Sequence, residues 1–163
     1  MADDAKNEDS FSFLGWFVAL IVLADQAAKV WAVVYLKPRH TLEVIPGFFH
    51  LSYVENPGAA WGMLAGRQVF LIGFSVLTLL FLIWKRRALF GSVPFGRWIF
   101  ALLSGGILGN LVDRIRVNYV IDYLDFFHGT YHFPAFNIAD SAICIATFSL
   151  ILLQMIEDLR KKR

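Results

Sequence analysis

Gln68-Val69-Phe70-Leu71-Ile72-Gly73-Phe74-Ser75-Val76-Leu77-Thr78-Leu79-Leu80-Phe81-Leu82-Ile83-Trp84 carries no ionisable side chain and is followed at once by Lys85-Arg86-Arg87. An uncharged apolar run close to the roughly 20 residues that cross about 30 Å of hydrocarbon as a helix reads as a membrane span. The basic residues that close it mark a cytoplasmic end, because lysine and arginine collect on that side. Working outward from this segment, three more stretches are apolar enough to span: about 11–36, interrupted by Asp25 and Lys29, then about 97–116 and about 137–157. Hydrophobic residues make up 58% of the 163 and charged residues 17%, against about 45–50% and 25% in soluble domains. A domain of this size has too little interior to hide that much apolar surface. The expected architecture is an all-α membrane protein of four transmembrane helices, one integral domain over 1–163.

Composition also excludes other classes. A net charge of +2 is no electrostatic footprint for a nucleic acid, and a single cysteine allows neither an intrachain disulfide nor a cysteine-based zinc cluster. The start, Met1-Ala2-Asp3-Asp4-Ala5-Lys6-Asn7-Glu8-Asp9, is mostly acidic, unlike the basic start of a signal peptide, so the first segment is expected to persist in the mature chain. Lys85, Arg86, Arg87 and Arg97 bracket the loop between spans two and three, and Arg160-Lys161-Lys162-Arg163 end the chain. With four spans both clusters share one side, which puts both termini, including a tail over 1–10, in the cytoplasm. Trp16, Trp84 and Trp98 fall near that face as interfacial indoles do.

Two outer loops remain, about 37–67 and 117–136. The first holds Thr41-Leu42-Glu43-Val44-Ile45 and Phe48-Phe49-His50-Leu51-Ser52-Tyr53-Val54 around Pro46-Gly47, a hairpin signal. Gly58-Ala59-Ala60-Trp61-Gly62-Met63-Leu64 is expected as a short interfacial helix. Tyr119-Val120-Ile121-Asp122-Tyr123-Leu124-Asp125-Phe126-Phe127 reads as a further strand, so a small extracytoplasmic β-sheet is expected from both loops.

Polar residues from distant parts of the chain fall at one depth. Asn110 and Asp113 lie at the outer end of span three, Asn137 and Asp140 in the first turn of span four, and Asp122 and Asn56 in the outer loops. Asp25 and Lys29 lie in the outer half of span one. Ionisable groups at such depth are costly and mark pairs or functional sites. Asn110/Asp113 and Asn137/Asp140 have the three-residue spacing of one helix face, and Asp25 and Lys29 can pair four apart. Gly105 and Gly109 have the spacing that lets membrane helices approach closely. Asp113 and Asp122, nine apart, can cooperate only if the chain turns between them, and Asn118 is the expected break.

Each feature has a plainer reading. Asp25–Lys29 serves as a structural ion pair. Asp113 beside Arg114 and Arg116 is an ion-paired helix terminus. Asn137 caps span four, with Asp140 near the positive end of its dipole. Asp125 faces solvent, and Cys144 is a small apolar filler. His128 and His132 have a helical ligand spacing interrupted by Gly129 and Thr130, and Ser104 and Ser141 have no nearby histidine for a triad. Against these stands one chemistry. Two close carboxyls share a proton, so one acts as general base toward water while the other donates to a scissile carbonyl, with no metal or cofactor required. Asp140, at a helix start, is the expected charged member, and Asp122, among Val120, Ile121, Tyr123 and Leu124, the protonated one.

Four ordered motifs make the chain similar to the signal peptidase II family of bacteria over nearly its whole length. They are Asp25-Gln26-Ala27-Ala28-Lys29; Glu55-Asn56-Pro57-Gly58-Ala59-Ala60-Trp61-Gly62; Gly105-Gly106-Ile107-Leu108-Gly109-Asn110-Leu111-Val112-Asp113-Arg114, continuing to Tyr119-Val120-Ile121-Asp122-Tyr123; and Phe136-Asn137-Ile138-Ala139-Asp140-Ser141-Ala142-Ile143. The resemblance implies an aspartic endopeptidase of the bacterial inner membrane. It would remove the signal peptide from prolipoproteins just before a cysteine bearing diacylglycerol, with its active site at the outer face. By resemblance Asp122 and Asp140 are the catalytic dyad. Asp25, Lys29, Asn56, Asn110, Asp113, Arg114 and Asn137 bind substrate or support the dyad. Lipidated precursors and membrane lipids are the implied partners, nucleic acid is not, and a monomer is expected. Trp61, Ile107, Asn118 and Tyr123 stand where the family usually has phenylalanine, alanine, glycine and phenylalanine. The rivals are a small transporter or proton relay built on intramembrane aspartates, and a scaffold in which the Asn/Asp pairs only hold helices together.

Overall fold

The computed structural model describes residues 2–161, and side-chain surroundings from residue 14 to residue 160. Four helices, α1 (Ala2–Trp31), α2 (Gln68–Phe90), α3 (Gly96–Val117) and α4 (Ile138–Lys161), are long and apolar enough to cross a membrane. Four strands, β1 (Thr41–Ile45), β2 (Phe49–Asn56), β3 (Val120–His128) and β4 (Tyr131–His132), form one antiparallel sheet in that order.

α3 is the central helix and packs against the other three. Half of its spanning window is buried, against roughly a fifth in the others, so α1, α2 and α4 turn most of their apolar side chains outward. Val69, Phe74, Leu77, Trp84 and Phe148 are exposed there. In a bilayer such surface gains nothing by helix association, so close packing must hold the bundle. Glycines on α3 provide it. A Cβ on Gly105 would lie 2.9 Å from Ile21, and one on Gly109 2.7 Å from Asp25 Oδ2, so both glycines admit α1. A Cβ on Gly106 would lie 2.5 Å from the Ala139 carbonyl oxygen, so this glycine admits α4.

The sheet hangs on the same helix ends. α3 stops at Asn118, whose φ of +64° turns the chain so that β3 starts at Val120. Asparagine tolerates this left-handed conformation better than most residues, and the expected break falls where it was read. β1 and β2 form the expected hairpin around Pro46-Gly47. β2 pairs with β3 in a register that sets Val54 against Asp122 and Asn56 against Val120. Beyond β4, Phe136 exchanges main-chain hydrogen bonds with Leu124 (2.9 and 3.1 Å), which lays residue 137 beside β3 just before α4 begins.

Three expectations about local structure change. The short helix expected over 58–64 is a single 3-10 turn, Ala60–Gly62, in which Trp61 takes a φ of +57°. α2 runs on to Phe90, so Lys85, Arg86 and Arg87 belong to its last turns rather than to the loop. Cys144 is exposed on the outward face of α4 and fills no gap between helices.

Gly106→Ala should destabilise the bundle by about 1–3 kcal/mol, the usual cost of overpacking. It should lower the thermal unfolding midpoint in detergent. Gly73→Ala, where an added Cβ meets nothing within 4 Å, should not lower it.

Candidate active site

The site is built upward from one ammonium group. Lys29 is 1% exposed, yet its cation is fully partnered: Asp25 Oδ2 at 2.8 Å, Asp113 Oδ2 at 2.8 Å and Asn110 Oδ1 at 2.9 Å. The same two acids tie further elements to the cluster. Asp25 Oδ1 accepts the Ala139 N–H at the start of α4 (2.9 Å), and Asp113 Oδ2 also accepts the Ile121 N–H of β3 (3.2 Å). Gln26 donates to Asp113 Oδ1 at 2.9 Å and to the Gly109 carbonyl at 3.2 Å. The structural pairing of Asp25 with Lys29 is therefore present. Asp113, by contrast, is paired not with its neighbours Arg114 and Arg116 but with Lys29 across the α1–α3 contact. Helical geometry explains this: adjacent residues point about 100° apart, and the face carrying Asp113 is the one packed on α1.

Two carboxamides lie above the ammonium. Asn110 accepts from Lys29 through Oδ1 and donates through Nδ2 to Asp140 Oδ1 at 2.7 Å. Asn137, 0% exposed, donates through Nδ2 to Asp122 Oδ1 at 2.7 Å and to Asn110 Oδ1 at 3.1 Å. Asn137 Oδ1 accepts the Asp140 N–H (2.8 Å), and Asp140 Oδ2 accepts the Asn137 N–H (3.3 Å), a reciprocal capping box at the head of α4. The plain capping role and the convergence of the two acids are thus one arrangement. Asp122 and Asp140, eighteen positions apart, both hydrogen-bond to Asn137. Asp122 Oδ2 also accepts from Asn56 Nδ2 at 3.0 Å, and Asn56 Oδ1 is held by the Gly58 N–H at 3.0 Å. Arg114 donates to the Gly58 carbonyl at 3.1 Å and so fixes the same loop from α3.

All nine candidate residues therefore belong to one hydrogen-bonded network. Gln26 was not singled out in the sequence, although an uncharged polar residue beside Asp25 in an apolar run was available as a signal. Asp125, expected to face solvent, is buried: it accepts from Ser52 at 3.1 Å and pairs with His132 Nδ1 at 2.8 Å. The β2–β3 pairing and the β3–β4 hairpin fold over it, contacts that local polarity does not reveal. His132 is engaged there, one residue from the pairing of His128 with Tyr131.

Burial, followed by the charge of Asp140, pushes the Asp122 carboxyl up from 3.8 to about 7, against the opposing pull of the Asn56 and Asn137 hydrogen bonds and the Lys29 charge. A carboxyl poised near neutrality beside a second one can hold a proton or release it under the same conditions.

Four apolar helices with a buried and a half-buried carboxyl meeting on one asparagine at their end fit a class, the membrane-embedded peptidases of acid type. Residues 17–156 match the family model for signal peptidase (SPase) II. The chain is 41% identical to a lipoprotein signal peptidase of Syntrophotalea carbinolica over 153 residues, covering 92% of this chain and 95% of that protein. It is 40% identical to the lipoprotein signal peptidase of Shewanella loihica over 155 residues, covering 88% and 86%. Its fold superposes on a bacterial membrane enzyme solved by the in meso method at 2.3 Å resolution, with a TM-score of 0.79 and 30% identity over 93% of this chain and 92% of that one. The chain belongs to the signal peptidase II family and is a multi-pass membrane peptidase.

The raised Asp122 value sets the sign of a pH effect. Between about pH 4 and 7 the folded chain keeps a proton that the unfolded chain has lost, so this group's contribution to folding is full at low pH and falls as pH rises to 7. Isotope-edited infrared titration should show one carboxyl protonating near pH 7, and Asp122→Asn should remove that band.

Proposed function

We propose that Asp122 and Asp140 are the catalytic dyad of an aspartic endopeptidase that removes the signal peptide from prolipoproteins just before a diacylglyceryl-modified cysteine. The observation that carries this reading is the meeting of the two acids on Asn137. Asp140, in the first turn of α4 where the helix dipole favours negative charge, takes a proton from water. The hydroxyl adds to the scissile carbonyl, which protonated Asp122 polarises by hydrogen bonding. The proton taken from water then passes to the leaving nitrogen as the carbon–nitrogen bond breaks, and the dyad regains its starting state. The pair titrates as a unit. Asn110, Asn137 and Asn56 hold the acids, while Asp25, Lys29, Asp113 and Arg114 support them.

The proposed setting follows from the substrate. A diacylated precursor stays in the bilayer, so its cleavage point lies near a membrane surface, and the acids sit at one end of the helix bundle. We assign that end to the outer face of the bacterial inner membrane, with the sheet extracytoplasmic, the turn at 60–62 at the interface and both termini cytoplasmic, because Lys85, Arg86, Arg87 and Arg97 gather at the opposite end. Spans over about 11–36, 68–84, 97–116 and 137–157 with outer loops 37–67 and 117–136 form one integral domain. It acts as a monomer on lipid-anchored substrate, with membrane lipids around it and no nucleic acid. Exposed Phe48 and Trp61 offer apolar contact for the lipidated segment. A transporter or proton relay would need acids through the depth of the membrane, whereas α2 has none and α3 only Asp113.

Purified protein should cleave a diacylglyceryl-modified precursor and leave the unmodified precursor uncut. Asp122→Asn and Asp140→Asn should each lower kcat at least about a thousandfold while the folded protein still binds substrate. Retained cleavage in either variant would reject the dyad. For orientation, in a chain lacking Cys144, Thr130→Cys should react with a membrane-impermeant maleimide on spheroplasts, and Ser92→Cys only after permeabilisation.

A further inference from the structure

We infer that Lys29 is a positioning residue that fixes which way round the Asn110 carboxamide sits, and thereby aims an N–H group at Asp140 of the dyad. The inference rests on the dyad reading above and adds a role for a residue that touches neither acid.

A lysine ammonium has three donors and no acceptor. Here the three partners, Asp25 Oδ2, Asp113 Oδ2 and Asn110 Oδ1, account for all three hydrogens. The atom of Asn110 that faces Lys29 must therefore be its oxygen. If the amide were reversed, its NH2 would face the ammonium at 2.9 Å and the Asn137 amide at 3.1 Å, and its carbonyl oxygen would face Asp140 Oδ1 at 2.7 Å, losing all three hydrogen bonds. Lys29 thus obliges Asn110 to donate to Asp140. The same oxygen of Asn110 accepts from Asn137 Nδ2 at 3.1 Å, while the Ile121 carbonyl (3.3 Å) and the Asp140 N–H fix the second amide from the backbone. Its NH2 group then points to Asp122 Oδ1 at 2.7 Å, and its oxygen takes the Asp140 N–H at 2.8 Å. One donor-only group thus sets the direction of the Asn110 amide and so of the hydrogen bond it makes to Asp140. Asparagine at 110 could otherwise sit either way round, because the two ends of a carboxamide have nearly the same shape.

The bland alternative is that Lys29 only balances the charges of Asp25 and Asp113. The two roles separate in the triple variant Lys29→Met/Asp25→Asn/Asp113→Asn. It holds no unpaired buried charge, keeps an oxygen at 25 and 113 for the Ala139 and Ile121 N–H groups, and fills the lysine stem with methionine. Folding is checked by thermal unfolding and gel filtration in detergent, and turnover is measured on a diacylglyceryl-modified precursor beside Asp122→Asn and Asp140→Asn. The expected result is a folded variant whose kcat falls at least about tenfold with KM within about twofold, because the lost interaction orients the group that holds Asp140 and not the substrate. A kcat back within about twofold of the parent would overturn the inference and leave Lys29 as a charge balance. Active Asp122→Asn or Asp140→Asn would instead overturn the dyad reading, a separate failure. If the triple variant does not fold, the parent chain decides. Asparagine side-chain NMR in micelles should show one Asn110 amide proton shifted downfield and protected from exchange, and an averaged, solvent-like pair would overturn the inference.

Discussion

A lysine ammonium held by two aspartates inside a membrane bundle is the constraint on which the remaining structure depends. Lys29 and Asp25 belong to α1 and Asp113 to α3, and the two carboxylates also reach α4 through the Ala139 N–H and β3 through the Ile121 N–H. Four elements therefore meet at groups that cannot be left alone. At such burial, removing one partner of the pair costs on the order of 3–5 kcal/mol, while the intact pair gains little over a well-packed apolar substitute. The cluster is thus better explained by the geometry it imposes than by the stability it adds.

That geometry reaches the carboxyl pair through amides rather than charges. Asn110 and Asn137 carry hydrogen bonds from Lys29 to Asp140 and Asp122, so the acids feel the lysine without forming an ion pair with it. A direct ion pair would hold both acids ionised and leave no proton to donate. A ring of amides leaves burial as the dominant influence on Asp122, which is why its carboxyl rises to about 7. The glycines of α3 serve the same end: a side chain at 109 would meet Asp25 itself, and one at 106 would push away the first turn of α4 that presents Asp140.

Several features were legible because local rules govern them. Span length follows from hydrocarbon thickness, the hairpin from Pro46-Gly47, and the break at Asn118 from the need for a left-handed residue before β3. The four motifs contain all nine candidate residues, and Gln26, inside the first of them, gained a role only from its contacts with Asp113 and Gly109. Misreadings arose where a residue's fate is set by a distant element. Asp125 reads as a surface acid until Ser52 and His132 close over it. Asp113 reads as the partner of its neighbouring arginines until α1 brings Lys29 to it. The one-turn outcome over 58–64 depends on Gly58 and Arg114 holding the loop, and a helical run of small residues gives no sign of that.

The amino-acid sequence by itself determined that this chain lives in a membrane, how many times it can cross, its family and the residue types from which its chemistry is drawn, because those rest on composition, period and ordered motifs. Only the tertiary structure decided that Asp113 shares the lysine with Asp25, that the two dyad candidates meet on one asparagine, and which way each amide points. Those outcomes depend on distances of about 3 Å between groups far apart along the chain, and no local pattern encodes such distances.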